Sequence, residues 1–111
     1  LDARNQTGDT ALILAAMNGH EDVVTLLIDA GAHVNARERY GITALMLAAD
    51  GGHEGIVEKL IAASAAVNIT LTSGESALSL ALDKGHRRIV SILRAAGARE
   101  PAGYRAPRGS A

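Results

Sequence analysis

Apolar and polar residues recur along this chain at one fixed interval. A Gly-x-Thr/Ser-Ala-Leu motif begins at positions 8, 41 and 74, a Gly-His pair at 19, 52 and 85, and a pair of β-branched residues at 23, 56 and 89. A fixed period of this length is typical of stacked supersecondary units, each too small to bury its own apolar face. The pattern therefore predicts a repeat protein, a class that binds other molecules more often than it catalyses reactions.

Within one period the residues predict two short helices. In the first unit, Thr10 can cap a helix over residues 11–17, and Gly19 stands at a natural helix-ending position. Glu21 and Asp22 then place negative charge in the first turn of a second helix, where the helix dipole favours it, and an apolar run follows. A turn-rich stretch with a glycine separates the units. Each unit is thus predicted to be helix, tight turn, helix and projecting loop.

This pattern resembles the ankyrin repeat, which has the same period and whose first helix opens on Thr-Pro-Leu-His-x-Ala. The chain has Thr-Ala-Leu-Ile-Leu-Ala at residues 10–15, Thr-Ala-Leu-Met-Leu-Ala at 43–48 and Ser-Ala-Leu-Ser-Leu-Ala at 76–81. The resemblance implies an all-α solenoid of stacked helix-turn-helix units with projecting β-hairpin-like loops.

We expect one domain, residues 1–100, followed by a flexible basic tail, residues 101–111, because the tail is rich in Gly, Pro, Arg and Ala and has no periodicity. The repeats cover about residues 2–34, 35–67 and 68–100. Arg94 replaces an isoleucine of the earlier repeats, so we expect the last repeat to act as a C-terminal cap. The first repeat carries apolar residues such as Val23 and Leu26, so either an upstream repeat is missing or this face packs on another surface. The chain begins at Leu1 and not at Met, which we interpret as excision from something longer.

Two departures from the family pattern carry expectations. The family histidine, which ties neighbouring loops together, is replaced by Ile13, Met46 and Ser79, so we expect looser hairpins. Ser64 stands where Gly31 and Gly97 end the second helix of the other repeats. We expect a left-handed backbone at Ser64, at a cost on the order of 1 kcal/mol.

Composition and charge narrow the class of protein. The chain has no Cys, which excludes disulfides and Cys-based metal or redox sites, and no Phe or Trp, so the core must be aliphatic. No apolar run reaches membrane-spanning length and no signal-peptide pattern opens the chain, so we expect a soluble, intracellular, cytoplasmic protein.

Charge is distributed unevenly along the repeats. Residues 1–58 carry three arginines against nine carboxylates, whereas residues 59–111 carry eight Lys or Arg against three carboxylates. The asymmetry follows the axis of a stack, which favours weak head-to-tail self-association or an oppositely charged partner at one end. For the basic end itself we favour a solvated cap over a nucleic-acid site, since Tyr104 is the only aromatic there for stacking.

Several residue patterns could suggest metal binding, phosphate binding or catalysis, but they are better explained as parts of the repeat framework. His20, His53 and His86 fall at equivalent positions of successive repeats, and helices pack about 8 to 10 Å apart. A shared zinc needs each nitrogen within about 2.1 Å, so we interpret these histidines as turn residues. The glycine-rich stretch at residues 51–55 aligns with the same turn and lacks phosphate-loop spacing. We predict no metal or cofactor and no enzymatic activity, although a spatial triad around a serine stays open.

The resemblance implies that a partner protein binds the hairpin tips and the exposed side of the first helices, which together line a concave groove. The tips supply Gln6, Thr7 and Asp9; Arg37, Arg39, Tyr40 and Ile42; and Thr70, Leu71, Thr72 and Glu75. The ends of the first helices supply Met17, Asn18, Asp50, Asp83 and Lys84. These positions vary among repeats while the framework is fixed, as expected of a binding surface and also of unconstrained solvated positions.

Two residues stand out on this surface. Tyr40, the only aromatic inside the repeats, is flanked by Arg39, and Tyr and Arg dominate binding hot spots. The alternative is a tyrosine lying on its neighbouring loop. Leu71 occupies the family's loop Asp position and forms an apolar spot with Ile69, where it either contacts a partner or packs the loop.

The sequence therefore favours a non-enzymatic protein–protein interaction module. Two alternatives stay open: a structural, self-associating repeat array, and an interaction segment of a longer enzyme or effector whose chemistry lies elsewhere.

Overall fold

The structure is a computed structural model that describes residues 3–5 and 9–100, which contain six α-helices in three pairs. The helices are α1 (Ala11–Met17), α2 (Glu21–Asp29), α3 (Ala44–Gly51), α4 (Glu54–Ala62), α5 (Ala77–Lys84) and α6 (Arg87–Ala95). The first helices of the pairs begin at equivalent alanines of successive repeats, so the structural period equals the sequence period. The predicted tail, residues 101–111, lies outside the described residues.

The helix pairs stack side by side in two layers. Helices α1, α3 and α5 pack on one another as an inner layer, and α2, α4 and α6 form an outer layer. The stack measures 41 × 25 × 21 Å. The loops that precede α3 and α5 turn back on themselves, with antiparallel bridges between Arg37 and Thr43 and between Thr70 and Ser76. The predicted all-α solenoid with hairpin-like loops is confirmed.

Hydroxyl side chains begin the inner helices, as predicted. The Ile13 N–H donates to Thr10 Oγ1 at 3.3 Å, and Thr43 caps α3 in the same way. In the third repeat, Ser76 N–H donates to Ser79 Oγ at 2.7 Å while Ser79 N–H donates to Ser76 Oγ at 3.2 Å, a reciprocal capping box. Ser79, one of the residues that replace the family histidine, is fully buried with its hydroxyl hydrogen-bonded. Each such cap stabilises its helix by about 1 kcal/mol.

The core between the layers is aliphatic. Its small residues are Ala15, Ala16, Ala48, Ala49 and Ala81, and its larger buried residues include Leu12, Leu45, Leu60, Leu78 and Leu93. Alanines on the inner helices let neighbouring backbones approach closely, so branched side chains from both layers fill the space. None of the helices in the described part of the chain is long and apolar enough to cross a membrane.

The first repeat exposes apolar side chains that its successors bury. Val23 is 42% exposed, whereas the equivalent Ile56 and Ile89 are each 1% exposed. Leu26, one turn further along α2, is 68% exposed. Ile56 and Ile89 are covered by the preceding repeat, and in the described residues no helix pair covers Val23 in this way.

The outer helices all end in the same left-handed turn, and in the second repeat this turn is made by Ser64. Its φ is +69°, and among the described residues Ser64 is the only non-glycine with positive φ. The Ala65 N–H donates to Leu60 O at 2.9 Å, which closes the turn. The expected left-handed backbone is confirmed.

Ser64→Gly should therefore raise Tm by about 4 to 8 °C, because relief of about 1 kcal/mol of backbone strain shifts Tm by that amount in a domain of this size. Calorimetry or circular dichroism measures the change. Gly31→Ser is the matched control: a Cβ at Gly31 meets no atom within 4 Å, so only the strain at φ +91° is added and Tm should fall. An unchanged or lower Tm for Ser64→Gly would show that the left-handed backbone at Ser64 is not strained.

Candidate functional site

The three hairpin tips are closed by the same backbone hydrogen bond. The bonds run from Asn5 N–H to Asp9 O (3.0 Å), from Glu38 N–H to Ile42 O (2.9 Å) and from Leu71 N–H to Glu75 O (2.8 Å). Residues Gln6 and Thr7, predicted at the first tip, lie outside the described residues. The described ends of the three loops therefore share one backbone closure.

The side chain that opens each tip distinguishes the third hairpin from the others. Asn5 Oδ1 accepts from Asp9 N–H at 2.9 Å, and Glu38 Oε1 accepts from the N–H groups of Tyr40 and Ile42. Leu71, at the equivalent position, has no oxygen to offer. The third tip thus gives up an internal acceptor and carries an apolar side chain in its place.

Arginines join neighbouring hairpins. Arg4 Nη1 donates to Arg37 O at 2.7 Å, and Arg37 Nη2 donates to Thr70 O at 2.9 Å, each from one repeat to the next. Arg37 Nε also donates to Gly41 O within its own tip at 2.9 Å. We expected looser hairpins from the loss of the family histidine, but these arginine bonds provide another tie. Arg37, predicted as a contact residue, has a structural task in addition to its exposed position.

Asparagines tie the second and third loops to the segment that follows the outer helix of the same repeat. Asn35 Oδ1 accepts from Ala66 N–H at 2.7 Å, and Asn68 Oδ1 accepts from Arg99 N–H at 2.9 Å. These contacts were missed in the sequence, although the recurrence of Asn one period later was a usable signal. The second loop is thus held twice, by Asn35 within its own repeat and by Arg37 to the third hairpin.

The histidines lie in the turns between the helices of each pair, and His53 and His86 also pack against the preceding repeat. The ring of His53 lies over Gly19, and the ring of His86 lies over Gly52 with Nε2 at 3.0 Å from Asp50 O. Each ring occupies a place that only a glycine leaves open. The histidines therefore fix the spacing of the stack.

A cleft of about 200 Å³ lies between the second and third hairpins and the inner helices. It is lined by Ile42, Met46, Leu47, Asp50, Leu71, Glu75 and Leu80. Leu47 and Leu80 form its floor from equivalent positions of α3 and α5. Both were missed in the sequence, because a leucine that recurs in every repeat looks like framework.

A second, shallower cleft lies at the tips themselves. It is lined by Arg37, Arg39, Tyr40, Gly41, Leu71, Thr72 and Ser73. Tyr40 is 68% exposed, so its side chain is largely in solvent. Leu71 is half-buried and lines both clefts, which makes one continuous surface, here called the Leu71 groove.

Charged residues surround the Leu71 groove without being buried. Lys84 Nζ lies 3.5 Å from Asp50, which joins α5 to α3, and Ser73 Oγ donates to Glu75 at 3.1 Å. Exposed pairs of this kind contribute at most about 1 kcal/mol. Their carboxylates and ammonium group stay available to a partner that displaces the internal contact.

The remaining predicted residues lie outside the two clefts. Met17 is 43% exposed at the end of α1, next to Asn18, whose Nδ2 donates to Leu14 O at 2.9 Å. Asp9 is half-buried in the first tip, Thr70 is exposed, and Asp83 is exposed beside Lys84. The structure thus groups residues of the second and third repeats and leaves those of the first apart.

Comparison with known proteins agrees with this geometry. A family model described as ankyrin repeats (3 copies) matches residues 1–71 and residues 35–102. These matches span most of the chain, so it belongs to the ankyrin repeat family. A search of the curated proteins finds no match.

Arg37→Lys should lower the free energy of unfolding by about 1 kcal/mol, because an ammonium group cannot reach Gly41 O and Thr70 O together. Urea denaturation measures the difference. Arg37→Gln, which also removes the charge, should cost a similar amount. If Arg37→Lys were as stable as wild type, the bonds of Arg37 to the two carbonyls would not contribute to the free energy of unfolding, and only the positive charge would.

Proposed function

We propose that this chain is a non-enzymatic protein–protein interaction module that binds its partner in the Leu71 groove. Ankyrin repeats are generally modules of this kind. The observation that carries the proposal is the meeting of the two clefts at Leu71, where an apolar floor adjoins an exposed aromatic and arginines. Desolvated apolar pockets beside Tyr and Arg are typical of binding hot spots.

The open shape of the Leu71 groove favours a protein partner over a small molecule. Ligand pockets usually bury most of the ligand. The inner cleft has about 200 Å³ and the cleft at the tips about 680 Å³, and both open to the surface, so neither encloses a small molecule. We infer that an apolar side chain of the partner enters the inner cleft, while flanking residues contact Tyr40 and Arg39 at the tips.

The rigidity of the loops also supports binding. Arg37 ties the second hairpin to the third repeat, Asn35 ties it to the segment that follows α4, and Glu38 fixes the backbone of its tip. A partner therefore meets a surface whose conformational entropy is already lost, and less of the interaction energy is needed to order it.

Tyr40→Ala should weaken partner binding by more than about 1 kcal/mol, or roughly fivefold or more in Kd, without changing Tm. The partner is obtained by affinity capture with mass spectrometry, and Kd is then measured by calorimetry with wild-type and variant chains. Leu26→Ala is a matched control, because Leu26 and Tyr40 are both 68% exposed but Leu26 lies on α2. Equal affinities of wild type and Tyr40→Ala would contradict the proposal, as would a larger effect of Leu26→Ala.

Leu71→Asn separates a binding role from a packing role. The amide oxygen should accept from Glu75 N–H as Asn5 accepts from Asp9, which offsets the lost apolar contact and keeps the free energy of unfolding within about 1 kcal/mol of wild type. Partner affinity should nevertheless fall about tenfold, because the polar amide replaces the apolar wall of both clefts. Undiminished affinity would show that Leu71 only packs the loop.

A further inference from the structure

At each junction between repeats, the ring of a histidine from one repeat packs directly on a glycine of the preceding repeat. This glycine is here called the seat of the histidine. A Cβ built on Gly19 would lie 2.7 Å from Cε1 of His53, and a Cβ on Gly52 would lie 3.0 Å from Cε1 of His86. The inter-helix turn of one repeat therefore supplies the seat for the histidine of the next.

Each junction also places a carboxylate of one repeat opposite a cation of the next. Glu21 lies 3.9 Å from Lys59, and Glu54 lies 3.3 Å from Arg88. Both carboxylates are the first residue of an outer helix, and both cations belong to the following outer helix. Each is a partly exposed ion pair that adds a contact between neighbouring repeats.

Each end of the stack exposes one of the two surfaces that meet at an internal junction. At the N-terminal face, His20 is exposed, as are Val23 and Leu26. At the C-terminal face, a Cβ on Gly85 would meet no atom within 4 Å, so the seat for a histidine is open. Val90 is half-buried, whereas the equivalent Val57 is fully buried beneath the third repeat.

The two ends of the stack carry opposite charges at the positions that would meet. The signs are exchanged relative to the internal pair of Glu54 and Arg88. Arg87 occupies the place that Glu21 and Glu54 hold in the other repeats, and Asp22 occupies the place of Arg88. If one chain continued the stack of another, the internal pair of Glu54 with Arg88 would be replaced by Arg87 with Asp22. Both residues are exposed in the structure.

We propose that the C-terminal face of one copy of this chain binds the N-terminal face of a second copy in the register of the internal repeats. His20 enters the open seat at Gly85, Asp22 pairs with Arg87, and Val23 packs near Val90. Arg94, ion-paired with Glu100 at 2.9 Å, makes this face more polar than the internal junctions, so the contact is weaker than internal stacking. The contact is heterologous, and a non-closing contact of this kind forms open chains.

Sedimentation equilibrium of the full chain at low salt, from about 10 µM to 1 mM, tests the proposal over the range of Kd expected for weak interfaces. The weight-average mass should rise steadily with concentration and pass that of a dimer. Asp22→Arg alone and Arg87→Glu alone should each weaken association at least tenfold, since each places like charges at the contact. An equimolar mixture of the two variants should restore wild-type association, because every junction between unlike chains then pairs opposite charges.

Glu58→Arg is the matched control, because it makes the same charge change as Asp22→Arg on α4, in the middle of the stack, and should leave association unchanged. Circular dichroism and melting curves verify that each variant is folded. Concentration-dependent NMR shifts should appear at His20, Val23 and Gly85. A monomer at every concentration, a mixture that stays monomeric, or shifts confined to the hairpin tips would overturn the proposal.

Discussion

The two short helices of one repeat cannot bury their apolar side chains by themselves, so each repeat needs the face of its neighbour to cover them. Val57 is fully buried with the third repeat against it, whereas the equivalent Val90, with no helix pair after it in the described residues, is half-buried. The alanines of the inner helices and the histidines packed over glycines serve this contact, while the capping hydroxyls stabilise the helix starts within each repeat. The fixed period of the sequence reflects the same contact between each repeat and the next.

The same junction explains why the loops can carry function. The second loop is held from outside its tip by the bond of Arg37 to Thr70 O in the third repeat and by the bond of Asn35 to Ala66 N–H after α4. Tip residues are consequently free to differ between repeats without loss of the fold. The Leu71 groove arises from this freedom: the third tip has lost its internal acceptor, while its backbone is still closed by the bond from Leu71 N–H to Glu75 O.

The sequence was a good guide to the framework and a poorer guide to the surface. Helix starts at Thr10 and Thr43 and the left-handed turn at Ser64 follow from local rules of capping and backbone sterics, so they were predictable. That Arg37 bonds two carbonyls depends on where the neighbouring hairpin lies, which local rules do not give. Leu47 and Leu80 were missed for a related reason, because a half-buried groove floor and a buried core share the same periodicity.

The aliphatic core leaves the protein with unusual optical properties. The chain has no Trp or Phe and two tyrosines, of which Tyr40 lies at a hairpin tip and Tyr104 lies outside the described residues. The core of the described residues consequently contributes no near-ultraviolet absorption or emission. Unfolding has to be followed through the helical backbone, whereas tyrosine emission reports on the surroundings of the exposed Tyr40 and of Tyr104. If Tyr104 is first replaced by an alanine, the second hairpin becomes a label-free probe of its own occupancy.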